Sequence, residues 1–209
     1  MARTEPFEKH PRRYEAWFER NPHAWHSEVE TLRMVQEQPP RRGLEIGVGT
    51  GRFALPLGFG YGLEPARPMI EHARQAGITV VRGIAERLPF APQTFDQVLL
   101  VTTICFVDDL EASFREARRV LASGGQLLIG LVDRESPVGQ HYLRHQAESV
   151  FYREATFYST DQVLDLLAAA GFGAFRLAQT IFGMPAEMTA PDPVREGYGK
   201  GSFVAIRAQ

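Results

Sequence analysis

Cysteine is all but missing: Cys105 is the only one in 209 residues, which excludes an intrachain disulfide and any metal site built from several thiolates. No apolar run approaches the ~18–20 residues of a membrane helix, and the first residues lack the apolar core of a signal peptide. The expectation is a soluble, cytoplasmic chain with no membrane partner. Charge of one sign is not in excess either, since the formal net charge is −2 and the segment before residue 43 sets eight Lys/Arg against seven Glu. Without a basic tract, nucleic acid is not an expected partner. Internal repeats and low-complexity tracts are absent, and 44% hydrophobic with 23% charged residues excludes disordered and collagen-like chains. A chain of this length suffices for one α/β domain plus a cap and is short for two domains.

What is present gathers around Leu44-Glu45-Ile46-Gly47-Val48-Gly49-Thr50-Gly51-Arg52-Phe53, a short apolar strand running into a glycine turn and then a helix. Glycine tolerates positive φ and has no Cβ to hold a ligand off. A helix opening there offers unpaired N–H groups and a positive dipole end, which favour a polar or anionic ligand part. The spacing is G-x-G-x-G, not the G-x-G-x-x-G of dinucleotide binding. Thirteen residues past Gly51 stands Glu64, where an α/β nucleotide fold grips ribose hydroxyls with a strand-tip carboxylate. Its place at the strand end implies no core role.

Along the chain, Tyr14, Trp17 and Phe18 share a helical face, and Asn21-Pro22 reads as a cap and first turn for a helix with the stripe Trp25, Val29, Leu32. Pro39-Pro40 ends it. Residues 52–57 form a short helix interrupted at Pro56, 67–76 a helix stopped by Gly77, and 78–82 the third strand. Residues 95–101 are apolar enough for a strand buried on both faces. By the switch-point rule, Thr102 to Phe106 at its carboxyl end should line the reaction site. Cys105, with no histidine beside it in sequence, reads as a small buried hydrophobe more readily than as a nucleophile. Asp108 or Asp109 caps the next helix, Ser123-Gly124-Gly125 turns it into strand 126–132, and Pro137 opens a helix carrying His141, Tyr142 and His145. The two histidines stand at i, i+4 but no third ligand is spaced to help, so a solvated face is expected and no metal. Ser159-Thr160-Asp161 caps a last helix, and 175–182 and 202–207 read as closing strands around a Pro/Gly-rich loop at 183–201.

Five segments in order resemble successive motifs of the class I S-adenosylmethionine-dependent methyltransferases, type-11-like branch: Glu45-x-Gly47-x-Gly49-x-Gly51, Gly62-Leu63-Glu64-Pro65, Ala85-Glu86-x-Leu88-Pro89-Phe90, Phe95-Asp96-x-Val98 and Leu121-x-x-Gly124-Gly125. The resemblance implies an α/β, Rossmann-like, doubly wound seven-stranded mixed sheet with one antiparallel edge strand and helices on both faces. It implies an N-terminal helical cap over 1–40, a methyltransferase domain over 41–209 and a substrate wall at about 134–158. S-adenosyl-L-methionine is then the cofactor and S-adenosyl-L-homocysteine its product, held by Glu45, Gly47, Gly49, Gly51, Glu64, Pro65, Ala85, Glu86 and Thr102, with the Ala85-Glu86 pair against adenine. The N-terminal aromatics either pack the first helices onto the sheet or, as the resemblance implies, belong to a lid over the cofactor that brings Tyr14, Trp17 or His23 to the pocket, beside Cys105 and Tyr142; the acceptor would be a small molecule. A general base is optional; Asp133, His141, His145 and Tyr158 are unranked candidates. The Asn/Asp-Pro-Pro-Tyr motif of adenine and amide N-methyltransferases is missing after residue 101, where Thr102-Thr103-Ile104-Cys105 stands, which subtracts from a nucleobase or glutamine acceptor. Two rivals share the layer plan or the cofactor: a nicotinamide-dependent oxidoreductase and a non-catalytic S-adenosylmethionine-binding module.

Overall fold

Prolines punctuate the start of the molecule. In the computed structural model, which describes residues 4–209, Pro6, Pro11 and Pro22 each sit in the first turn of a helix: α1 (Glu5–Lys9), α2 (Pro11–Arg20) and α3 (Pro22–Gln36). A missing N–H costs little there, because first-turn N–H groups have no intrahelical partner. The first three residues of the expected cap lie outside the described residues. Asn21 does not cap α3 with its side chain as expected; its Nδ2 donates to the Trp17 carbonyl at 2.8 Å and closes the end of α2.

One sheet takes all eight strands: β1 (Gly43–Ile46), β2 (Tyr61–Glu64), β3 (Thr79–Arg82), β4 (Phe95–Val101), β5 (Leu121–Val132), β6 (Arg176–Thr180), β7 (Arg195–Glu196) and β8 (Phe203–Ala208). Their order is β3-β2-β1-β4-β5-β8-β6-β7. Strands β1 to β5 are mutually parallel, and β8 runs antiparallel to both β5 and β6. This is the doubly wound Rossmann-like plan, with two departures from the expected seven strands and single antiparallel edge. The extra strand is β7, a two-residue piece of the 183–201 loop, antiparallel to β6 at the outer edge. The long antiparallel strand, β8, lies inside the sheet. Phe203 to Ile206 are completely buried, so both flanks of β8 need a partner, whereas β7 is exposed and suits an edge.

Alternation along β4 sends Val98 and Leu100 to one face and Leu99 and Val101 to the other. The first face packs on α6 (Leu110–Val120) and α8 (Thr160–Ala169), through Phe114, Ala117, Val163 and Leu167. Asp109 caps α6 by accepting from Ala112 N–H at 2.8 Å, and Ser159 with Gln162 forms a capping box on α8, so both helices begin where side-chain acceptors meet their free N–H groups. The second face packs on α3, α4 (Ala54–Leu57) and α5 (Arg67–Gln75). Helix α3 thus belongs to the sheet's own layer through Ala24, Val29, Leu32 and Val35, and of the three N-terminal helices α1 and α2 stand over the carboxyl ends of the strands. The Ser123-Gly124-Gly125 turn survives as an irregularity within β5, where pairing with β4 jumps from Leu121 to Gln126. Helix α7 (Pro137–Arg144), capped by Ser136, follows β5 and faces α2 across a cavity.

Candidate active site

Strand order reverses between β1 and β4, and the glycine turn leaves β1 there. The Leu63 carbonyl accepts from the N–H groups of Gly47 and Val48 at 2.8 and 3.1 Å, folding the turn over the tip of β2. Gly47 and Gly49 have φ of 71° and 54°, and an added Cβ would lie 2.5 Å from the Thr103 side chain at the first and 3.1 Å from the Tyr14 hydroxyl at the second. Only glycine suits both conditions. Glu64, 6% exposed, accepts from Gly49 N–H at 3.0 Å through one oxygen and from Ala66 N–H at 2.9 Å through the other. Burial pushes its carboxyl up to about 7 against the pull of those two N–H groups.

A cavity of about 90 Å³ opens beside this turn, lined by Gly47, Gly49, Glu64, Pro65, Ala85 and Glu86 and roofed by Phe7 and Tyr14. Glu86 is half-buried, and its Oε1 also accepts from Asp108 N–H at 2.7 Å, tying the cavity wall to the approach to α6. Two expected cofactor residues do not reach this cavity. Glu45 is 1% exposed and lies behind the turn, accepting from Ala54 N–H, so burial holds its carboxyl well above the ordinary range. Gly51 faces Ile78, whose Cδ1 would stand 2.5 Å from an added Cβ. Both residues shape the turn from outside.

Phe7, Tyr14, Thr102 and Phe106 face this cavity and also a second, larger one of about 360 Å³. Thr102, immediately after β4, has a φ of 48°, an uncommon backbone state for a β-branched residue and one that concentrates at functional sites. The larger cavity is walled by aromatic rings. Tyr142 stacks on Tyr152 with centroids 5.0 Å apart, Tyr152 stacks on Phe106 at 5.9 Å, and Phe7 meets Phe106 edge-on at 5.0 Å. Trp17 and Phe18 complete the wall from α2. One carboxyl, Glu28 of α3, lines the cavity while only 4% exposed, and burial alone pushes it up to about 8. Burial and the Glu28 charge together push Tyr142 up to about 12. Helix α2 is pinned to the glycine turn by Glu15, which takes the Thr50 hydroxyl and the Arg52 guanidinium. Helix α1 is held by Glu8, which accepts from Arg67 N–H at 3.1 Å.

Of the other expected residues, Tyr14, Trp17 and Tyr142 line the larger cavity, and His141 and His145 stand at its mouth with ring centroids 4.4 Å apart. Among the described residues, no group of three or more His, Cys, Asp or Glu is placed to hold a metal. Asp133 lines neither cavity: one oxygen accepts from Glu135 N–H and the other from the N–H and hydroxyl of Thr160, an arrangement that joins the end of β5 to α8. Tyr158 and Cys105 back a separate void of about 20 Å³, and the Cys105 thiol lies 3.2 Å from the Thr102 carbonyl. His23 lies outside both cavities, its carbonyl accepting from the Ser27 hydroxyl. Sequence reasoning missed Glu28, although a signal existed: it falls on the apolar stripe of α3, three residues after Trp25 and next to Val29.

Fold and site together define a Rossmann-like framework with a small notch beside the glycine turn and an adjoining aromatic chamber, and comparison with known proteins makes the class specific. A family profile described as a methyltransferase domain matches residues 44–129. A Thermotoga maritima structure, a SAM-dependent methyltransferase described as a possible histamine N-methyltransferase, is similar at 47% identity with a TM-score of 0.95, over 98% of both chains. An uncharacterized protein of Methanocaldococcus jannaschii is 40% identical over 205 residues, covering 97% of this chain and 98% of its own length. One from Mycobacterium tuberculosis is 40% identical over 188 residues; the match takes in 87% of this chain and 65% of that relative. The chain belongs to the class I S-adenosylmethionine-dependent methyltransferase family.

Proposed function

We propose that the chain moves a methyl group from S-adenosylmethionine to a nucleophilic atom of a small molecule, the cofactor lying against the glycine turn and the acceptor in the aromatic chamber. The observation that carries this reading is adjacency: Tyr14, Thr102 and Phe106 line both cavities, so the two spaces adjoin at these side chains. The residues suit the cofactor. Gly47 and Gly49 hold the turn at positive φ with Thr103 and the Tyr14 hydroxyl packed close against it, Glu64 retains acceptor lone pairs for ribose hydroxyls, and Pro65, Ala85 and Glu86 continue the wall where adenine would rest. Bound there, the cofactor supplies a methyl group on an already activated sulfonium. The protein's part is then to hold the acceptor in line and keep water out, which as effective molarity is worth up to ~7–11 kcal/mol. Calorimetry with S-adenosylhomocysteine and NADH, followed by turnover of an amine, phenol and thiol panel with S-adenosylmethionine, tests the reading. The description of the Thermotoga neighbour puts histamine in that panel. Binding of S-adenosylhomocysteine but not NADH, with at least one acceptor methylated, is expected. Preference for NADH, or binding without any transfer, would overturn it.

A further inference from the structure

We infer that the acceptor is a small amine with an apolar or aromatic body, and that Glu28 is the group that pairs with its nitrogen and takes its proton. The inference rests on the methyltransferase reading and adds what the acceptor must be. Glu28 is almost wholly buried, borders the larger cavity, and has no hydrogen-bond or ion-pair partner among the described residues. The Ser27 and Thr31 hydroxyls donate back to the helix carbonyls of His23 and Ser27, and the Tyr14, Tyr142 and Tyr152 phenols that share its cavity form no hydrogen bond with it. The cations at the mouth, Arg13 and Arg20, are exposed and form no ion pair with it. A buried carboxyl without a partner is costly and is ordinarily matched by a counter-charge. In the ligand-free protein burial holds Glu28 as the acid, and a cationic ligand would supply the counter-charge for its carboxylate.

The surrounding rings point the same way. Trp17, Phe18, Tyr142 and Tyr152 present aromatic surface, which favours a cation and an apolar body together. A phenolate or thiolate acceptor would be repelled by a carboxylate at this range. An amine instead keeps the positive charge in the chamber throughout. The entering ammonium pairs with Glu28, whose acid form gives its proton to solvent. One ammonium proton then passes to the Glu28 carboxylate, the freed nitrogen lone pair forms the N–C bond, and the C–S bond breaks with its electron pair staying on sulfur. Nitrogen ends with the positive charge, the thioether is neutral, and Glu28 is again the acid. The one proton lost overall is the one released on binding. A chamber of about 360 Å³ sits at the small end of ligand pockets, which limits the acceptor to about one ring or a short chain.

The full chain and its Glu28→Gln variant, titrated with 2-phenylethylamine and with 2-phenylethanol, with and without S-adenosylhomocysteine, test this directly. The wild type should bind the amine at least about tenfold more tightly than the alcohol, and the variant should lose that preference while holding S-adenosylhomocysteine as before. Calorimetry in buffers of different ionisation enthalpy should show proton release with the amine near neutral pH in the wild type and none in the variant. The other titratable groups facing Glu28 are Tyr14, Tyr142 and Tyr152, all pushed upward by burial and therefore silent in that range. His141, His145 and Glu148 remain in the variant and cannot account for a difference from it. Equal binding of amine and alcohol, an amine preference that survives Glu28→Gln, or a wild type that binds S-adenosylhomocysteine but none of a panel of aryl- and alkylamines would overturn the inference. Failure to bind S-adenosylhomocysteine would instead sink the methyltransferase reading, since amine binding is also read in the ligand-free protein.

Discussion

The carboxylate of Glu64 has a structural duty beside the ligand role proposed for it, and that changes what a substitution there reports. As a strand-tip acceptor it should take ribose hydroxyls, and replacing it should weaken S-adenosylmethionine binding about ten- to a hundredfold. The expectation that ligand-free stability is indifferent to it does not hold, because its two oxygens satisfy the N–H groups of Gly49 and Ala66 inside the protein. Glu64→Ala should therefore cost about 1–3 kcal/mol of ligand-free stability, seen as a lowered Tm, beside the lost affinity measured by calorimetry. Tyr142→Ala should impair acceptor turnover with cofactor affinity unchanged, whereas Tyr158→Ala, outside the chamber, should do neither; steady-state kinetics on the pair decides. The places of Gly47, Gly49 and Glu64 beside the notch were legible because a tight turn and a strand-tip acid carry their physics in the sequence. Glu45 and Gly51 were not, since spacing does not say which side of a turn a residue faces. Glu28 escaped because its surroundings come from residues over a hundred positions away, Tyr142 and Tyr152.

Among the elements, α1 and α2 are the ones whose movement the site requires. The notch beside the glycine turn holds about 90 Å³, below the ~300–1,000 Å³ usual for ligand pockets, and Phe7 of α1 roofs it, so a nucleoside needs α1 displaced. The Glu15 ion pair with Arg52 is partly exposed and worth at most about 1 kcal/mol, enough to bias the position of α2 without governing the fold. Glu15→Ala should speed amide exchange across residues 5–20 and raise KM for both substrates severalfold, with Tm nearly unchanged. An exchange map showing no change there would remove α2 from the binding cycle. The starts of α6 and α8 could be read from local signals, Asp108 or Asp109 and Ser159-Thr160-Asp161 ahead of apolar residues at helical spacing, because capping is a local interaction. Whether α3 packs on the sheet or covers the cofactor was left open by its apolar stripe, and the existence of β7 could not be read. An apolar stripe announces burial but not its partner, and β7 is two exposed residues that only the register of β6 turns into a strand.

At the scale of the whole molecule, three of the buried carboxyls are raised by burial and pull the response to pH in one direction. Glu28 and Glu64 are pushed up to about 8 and about 7, and Glu45 well above its ordinary value of 4.5. The folded chain therefore holds protons that the unfolded chain has already released. Their contribution to stability is complete below about pH 4.5 and is lost as pH rises through the folded values. The ligand-free Tm should fall between pH 5 and pH 8, and Glu28→Gln should flatten the upper part of that fall; a flat wild-type profile would show these acids ionised without penalty. The wall that Tyr14, Phe7, Thr102 and Phe106 put between the two cavities has a thermodynamic corollary of its own. Occupancy on one side alters the surface presented to the other, and linkage makes that influence reciprocal. The factor by which S-adenosylhomocysteine changes amine affinity must equal the factor by which the amine changes affinity for S-adenosylhomocysteine, and Tyr14→Ala should draw both toward unity together.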